Sequence, residues 1–200
     1  MTSPILLTGR TLTREEFYSV VFDRRRAALH PRARRAMAKT RAMIENMIQQ
    51  KQVVYGVTTG VGSLSTERID PAQARQLQLN IVRSHACGVG EPLDAAETRA
   101  LLLLRANGLA AGLSGVRPAV VDLLCQFLNH GIHPVVPSRG SVGASGDLAP
   151  LAHLAGALVG EGEVFYQPRP GGATQRLKAS AALKRAKLRA LELQAKEGTC

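Results

Sequence analysis

One short stretch of the chain combines residue types able to do chemistry: Gly140-Ser141-Val142-Gly143-Ala144-Ser145-Gly146-Asp147-Leu148-Ala149-Pro150-Leu151. Ser145 brings a hydroxyl, and Gly143, Ala144 and Gly146 leave so little bulk around it that backbone atoms can approach one another closely. Asp147 is a favourable N-cap, Pro150 falls in a first helical turn, and Leu148, Leu151, Leu154, Ala155 and Leu158 then recur at helical spacing. The serine therefore precedes the positive end of a buried helix, where developing negative charge is stabilised. Taken alone, the same features also describe an ordinary glycine-rich turn before a core helix.

Two further segments carry groups of interest. Val53-Val54-Tyr55-Gly56-Val57-Thr58-Thr59-Gly60-Val61-Gly62 is an apolar run entering a glycine-rich loop. No Lys follows its last Gly and GxGxxG spacing is absent, so it is not a phosphate-binding loop. Tyr55 by itself reads as a half-buried packing residue. Asn80-Ile81-Val82-Arg83-Ser84-His85-Ala86-Cys87-Gly88 closes a helical pattern, and His85 by itself reads as a satisfied helix-end histidine. Gly112-Leu113-Ser114-Gly115 lacks the GxSxG spacing of a nucleophile elbow. His130 and His133 have no carboxylate or Cys cluster beside them, and no metal site is expected.

The fourteen residues 140–153, ending Leu151-Ala152-His153, resemble the signature of the histidine and phenylalanine ammonia-lyase family. The resemblance implies that Ala144-Ser145-Gly146 cyclises to 4-methylideneimidazol-5-one (MIO). The Gly146 nitrogen would attack the Ala144 carbonyl, two waters would leave, and Ser145 would supply the exocyclic methylene. These residue types suit that chemistry: a side chain at 146 would obstruct the attack, and only a β-hydroxyl residue can give the alkene. Residues 55–62 resemble the family's Tyr-Gly-x-x-Thr-Gly-Phe-Gly motif, which implies that Tyr55 is the catalytic base, that Gly62 borders the substrate and that the loop covers the site. Thr58 stands where many members have Asn, and Val61 replaces the usual Phe. Residues 80–88 resemble the segment lining the substrate's side-chain pocket, which makes His85 a substrate contact and Asn80, with Asp147, a supporting residue. A histidine there resembles histidine and tyrosine lyases, since an imidazole can hydrogen-bond an imidazole or a phenol. Ala86 leans toward histidine lyases. The implied reaction is loss of ammonia from L-histidine to give trans-urocanate, with a tyrosine or phenylalanine lyase or an MIO aminomutase as alternatives. No diffusible cofactor is implied.

The elements that must position these groups read as overwhelmingly helical. Thr13 with Glu16 fits a capping box before a helix through Phe17 and Val21. Pro31 opens a longer helix to about Gln50, with Ala36, Met43, Ile44 and Met47 as its apolar side. Further helices are expected from Pro71 to His85, over 95–112 with Leu101, Leu102, Leu104 and Leu109 buried, from Pro118 to Gly131, over 148–159, and over roughly 174–190. Extended segments are expected before Gly9, over 132–137 and at Val164-Phe165-Tyr166. The expectation is an all-α, bundle-like single domain over 1–200, which the resemblance identifies with the N-terminal part of the fumarase/aspartase-like lyase fold.

Composition agrees with a core-forming globular chain: of 200 residues, 45% are hydrophobic and 20% charged. No apolar run approaches the ~20 residues needed to span a bilayer, and no secretory signal is visible. Cys87, Cys125 and Cys200, odd in number and without CxxC spacing, are expected as free thiols in a cytoplasmic protein. The net charge of +11 gathers in Arg24, Arg25, Arg26, Arg32, Arg34, Arg35 and Arg41 and again over residues 176–189. With 4% aromatic residues and no nucleic-acid motif, these are expected to be solvated helix faces, not a nucleic-acid reader. The family continues past Lys-Glu-Gly, here Lys196-Glu197-Gly198, into its remaining pocket residues and the long helices of its homotetramer. A truncated product is therefore expected, with an inactive helical fragment as the reading from another class.

Overall fold

The computed structural model describes residues 3–62, 69, 73–143 and 146–199. Their order is β1 (Ile5–Leu7), α1 (Arg14–Val21), β2 (Ala27–Leu29), α2 (Pro31–Gln49), α3 (Ala74–His85), β3 (Val89–Pro92), α4 (Ala95–Ala110) and α5 (Pro118–His130). Then follow β4 (Ile132–Pro134), β5 (Pro137–Arg139), α6 (Leu148–Leu158), β6 (Glu163–Tyr166), β7 (Gln175–Lys178), α7 (Ala179–Arg185) and a 3-10 turn at Glu197–Thr199. The mainly helical class expected from the sequence is the class observed.

Helices α4 and α5 form the centre. Leu102, Leu103 and Ala106 of α4 face Val121, Leu124 and Phe127 of α5, all of them buried. The parallel pair β1–β2 and helix α1 close one side; α6 and the three-stranded sheet β4-β6-β7 close another. Local chemistry sets the helix starts. Thr13 and Glu16 form the expected capping box, with the Thr13 hydroxyl accepting from the Glu16 amide at 3.2 Å. Asp94 and Glu97 form a second box at α4, and Pro31 and Pro118 occupy first turns.

Three expectations need correction. The buried side of α2 is Ala33, Met37 and Arg41, an i, i+4, i+8 row, while Met43 is 53% exposed. Arg41 turns inward because its guanidinium reaches the Ala195 carbonyl at 2.9 Å. In α4 the apolar run is not buried all round, because Leu104 is 55% exposed and Leu103 fills the core beside Leu102. The helix expected over 174–190 is instead strand β7 followed by the short α7. Strand β6 offers a free edge, so Gln175–Lys178 pairs with it antiparallel, Glu163 opposite Lys178, and Arg176 bonds Glu163 across the ladder at 2.6 Å. Tertiary pairing overrides helix propensity there. Pro71, expected to open the third helix, lies outside the described residues.

Among the described residues no helix is long and apolar enough to cross a membrane. Cys87 and Cys125 are free thiols, and Cys200 lies outside the described residues.

One core residue gives the fold a pH signature. His133 on β4 is 1% exposed and its Nε2 has no hydrogen-bond partner. Burial, with Arg99 and Arg24 nearby, pushes its pKa from 6.5 down to about 3. Below pH 6.5 the unfolded chain binds a proton that the folded chain refuses. Stability is therefore retained above that pH and falls as pH drops toward about 3. The slope from this one group is up to about 1.4 kcal/mol per pH unit. His133→Leu is expected to flatten the urea-unfolding free energy between about pH 6.5 and 5 by that amount; an unchanged slope would acquit His133.

Candidate active site

A cavity of about 800 Å³ opens where the loop after α2, the end of α3, the start of α6 and the segment 196–198 meet. Its wall includes Tyr55, Gly62, His85, Gly146 and Asp147, five of the residues singled out from sequence. Asn80 is not among them. It lies on the exposed side of α3, where Gln76 donates to its side-chain oxygen at 2.7 Å. Ala144 and Ser145 lie outside the described residues.

The Tyr55 loop is held by its own threonines. Thr58 Oγ1 donates to the Gln52 carbonyl at 2.5 Å and accepts from the Val54 amide at 2.8 Å, while the Gly56 amide donates to Thr59 Oγ1 at 3.3 Å. Thr58 thus supplies both a donor and an acceptor at the position where the resemblance implies Asn in many members. Val61 lines the cavity directly, so its small side chain, where the resemblance noted above implies Phe, shapes the wall. The Gly62 amide donates to Tyr55 Oη at 3.2 Å and fixes where the phenol oxygen sits, although the ring is 63% exposed.

His85 is the last residue of α3. Its Nδ1 lies 2.8 Å from the Ile81 carbonyl. A carbonyl oxygen only accepts, so Nδ1 carries the hydrogen, and in the neutral ring Nε2 is left as an acceptor. The helix-end satisfaction and the cavity role therefore coexist: one nitrogen anchors the ring and the other is available.

Helix α6 presents its N-terminal end to the same cavity through Gly146, Asp147, Leu148 and Leu151. Asp147 occupies the N-cap position, but its side chain makes no capping bond to the helix. The Ser141 hydroxyl donates to it instead, tying one end of the loop to the other. This corrects the simple capping expectation: a loop-closing bond takes the carboxylate. Gly146 has φ +140°, a backbone region that L side chains rarely adopt. Position 146 thus calls for glycine on conformational as well as chemical grounds, which fits the cyclisation implied for Ala144-Ser145-Gly146.

Arg105, Lys196 and Gly198 complete the wall, and sequence reading had not assigned them to it. Arg105 was detectable as the lone charge inside the Leu-rich run of α4. Lys196 has φ +79°, a strained conformation for a non-glycine residue. It is imposed by its neighbours. The Glu197 carboxylate accepts from Arg117 Nε and Nη2 at 2.8 and 2.7 Å, and the Gly198 amide donates to Gln78 Oε1 at 2.7 Å. Among the described residues no group of three or more His, Cys, Asp or Glu could hold a metal ion.

The sequence matches the aromatic amino acid lyase family model over residues 12–200. It is 52% identical over 191 residues to a histidine ammonia-lyase of Koribacter versatilis, covering 96% of this chain and 36% of that protein. It resembles the ergothioneine-degrading ergothionase of Treponema denticola with TM-score 0.92 at 30% identity, covering 98% of this chain and 38% of the other. It resembles the tyrosine aminomutase of Streptomyces globisporus with TM-score 0.86 at 37% identity, covering 98% and 36%. The chain thus spans little more than a third of the length of the curated relatives it matches.

Proposed function

This chain belongs to the aromatic amino acid lyase family, a family of carbon–nitrogen lyases, and we propose on that footing that it serves the elimination of ammonia from L-histidine to give trans-urocanate. The observation that carries the proposal is the convergence of Tyr55, Gly62, His85 and Gly146 on one cavity wall.

The roles we assign draw on the atoms present. Tyr55 Oη, oriented by the Gly62 amide and acting as the phenolate, takes a proton from the substrate Cβ and becomes the neutral phenol. The C–H electron pair becomes the new Cα=Cβ bond, and the Cα–N pair departs with the amine, released as ammonia. His85 Nε2 accepts a hydrogen bond from the substrate side chain; histidine's ring N–H can supply it, and phenylalanine cannot. Arg105 and Lys196 put positive charge on the wall for the substrate carboxylate. When formed from Ala144-Ser145-Gly146, MIO supplies an electrophilic methylene that engages the substrate amine. The positive end of α6 stabilises negative charge developing on that loop. The homotetramer of the family is part of the same proposal.

Tyrosine also carries a donor at the tip of its ring, and a tyrosine aminomutase is among the similar structures. The distinguishing experiment combines the intact mass of the gene's product from its native cell with ultraviolet assays on L-histidine, L-tyrosine and L-phenylalanine. A mass two waters below the encoded one, with absorbance rising fastest on histidine, is the expected result. Faster conversion of tyrosine, or release of a β-amino acid, would replace the substrate assignment. An undehydrated, folded product inert to all three would overturn the lyase reading.

A further inference from the structure

Residue His153 closes the signature stretch, yet the chemistry above does not use it. On α6 it lies one turn after Ala149, on the same face. The Gly88 amide donates to His153 Nε2 at 3.1 Å, and Gly88 follows His85 by three residues. We propose that His153 is a positioning residue whose unprotonated Nε2 locks the segment carrying His85 to the loop and helix carrying Gly146. The proposal rests on the reading that these two segments share one active site.

The packing at this point leaves no slack. A Cβ on Gly88 would lie 3.1 Å from His153 Nε2, 3.2 Å from the Arg139 carbonyl and 3.2 Å from Pro137 Cβ. A Cβ on Gly140 would lie 3.0 Å from Gly88 Cα and 3.3 Å from Ala149 Cβ. Both ends of the loop therefore meet at residue 88: Gly140 packs against it on the incoming side and against Ala149 of α6, and His153 reaches it on the outgoing side. The antiparallel pair β3–β5 extends the junction, with Val89 opposite Arg139 and Pro92 opposite Pro137. Among the described residues a second polar link, the bidentate Arg83–Glu161 pair, ties α3 to the turn after α6 and not to α6 itself. The bond to His153 is thus the directional link between helix α6 and the backbone behind His85.

An amide only donates, so the bond requires Nε2 to be bare and the ring hydrogen to sit on Nδ1. Partial burial lowers the His153 pKa, which favours the neutral ring the bond needs. The consequence is geometric. Displacing the His85 segment from the Gly146 loop by ~1 Å changes where a substrate held by one meets the other, and errors of that size cost on the order of a hundredfold in rate. The same junction holds both ends of the loop that must bring the Gly146 nitrogen to the Ala144 carbonyl.

The test uses the full chain in three variants. His153→Gln keeps an acceptor near the Nε2 position, His153→Leu keeps bulk without an acceptor, and Gly88→Ala presses on the bond from the other side. Amide hydrogen exchange at Gly88 and intact mass are read for each. Wild type and His153→Gln are expected to protect the Gly88 amide alike. His153→Leu and Gly88→Ala are expected to speed its exchange about tenfold, the loss of one hydrogen bond. The dehydrated fraction is expected to fall in the same two variants and to be restored by Gln. Unchanged Gly88 protection in His153→Leu overturns the proposal, as does an unprotected amide in the wild type. Should the Leu variant fail to fold, Gly88→Ala carries the same decision. If no variant loses water, the wild type included, the lyase reading fails by itself while the exchange data still decide the role of His153.

Discussion

Replacing Arg99 by methionine is expected to destabilise the fold by about 3–5 kcal/mol, lowering Tm by on the order of 10 °C for a chain of this size. Arg99 lies in α4 at 2% exposure, in the middle of the apolar core. Its guanidinium has carbonyl partners instead of a carboxylate: Nε donates to Val21 at 2.8 Å, Nη1 to Leu128 at 3.0 Å, and Nη2 to Val20. Val20 and Val21 end α1, and Leu128 lies in the last turn of α5. Carbonyls there have no helical partner and carry the negative end of each helix dipole. One side chain thus satisfies two helix ends at once. Burial lowers its pKa to about 10, with Arg24 adding to the effect, yet the group remains charged at neutral pH. Methionine fits the stem but strands three buried acceptors, each worth about 1–3 kcal/mol when unpaired. Urea titration and thermal melting both measure the change. A loss under ~1 kcal/mol would mean that water replaces the guanidinium and the site is less dry than its burial indicates.

Arg99 also marks where sequence reading stops. The helices around it were legible, because Thr13, Pro31, Pro118 and Asp147 are local start signals, and α4 itself was legible from its apolar run. That an arginine inside the Leu-rich α4 points inward was not legible, since its reason lies in carbonyls 29 and 78–79 residues away. Strand pairing escaped for the same cause, and with it the strand Ala27–Leu29, although the segment before Gly9 was legible as extended. Ile5–Leu7 and Ala27–Leu29 are three residues each, and their parallel pairing exists only after α1 has folded between them. Strand β7 was misread as helix because Gln175–Lys178 has no strand pattern of its own; the β6 edge imposes one.

The candidate site divides along the same line. Tyr55, His85, Gly146 and Asp147 were found because each sits in a stretch whose residue types make sense together, and the structure gathers them on one wall. Asn80 shared such a stretch with His85 but lies on the other side of the helix, five residues and therefore about 140° away. Proximity in a motif is not proximity in space when the motif is helical. Lys196 and Gly198 were read only as the point where relatives continue, because nothing in Lys-Glu-Gly announces a wall residue; their place depends on what Glu197 binds.

That dependence yields the second large effect. Glu197→Ala is expected to release the segment 192–198 from the body of the protein and to cost about 3 kcal/mol or more in global stability. The Glu197 side chain is fully buried, and its oxygens accept from four donors: the Arg117 amide at 3.1 Å, Arg117 Nε at 2.8 Å, Arg117 Nη2 at 2.7 Å and the Gln194 amide at 2.8 Å. The carboxylate in turn raises the Arg117 pKa, hydrogen bonding being the largest cause. Deleting it leaves a partly buried guanidinium without its counter-charge, which is worse than deleting both. Arg117→Met with Glu197→Ala is therefore expected to be less destabilised than the sum of the single changes, by about 1–3 kcal/mol. Hydrogen exchange should show the local event directly, with the Gly198 amide losing its bond to Gln78 and the cavity losing Lys196 from its wall. The strained φ of Lys196 persists because Glu197 and Gly198 are both fastened, so freeing Glu197 lets residue 196 relax. Additive free energies in the double variant, or unchanged exchange over 192–198, would show that the Arg41 and Gln78 contacts hold the segment without Glu197 and that the ion pair is incidental to the cavity.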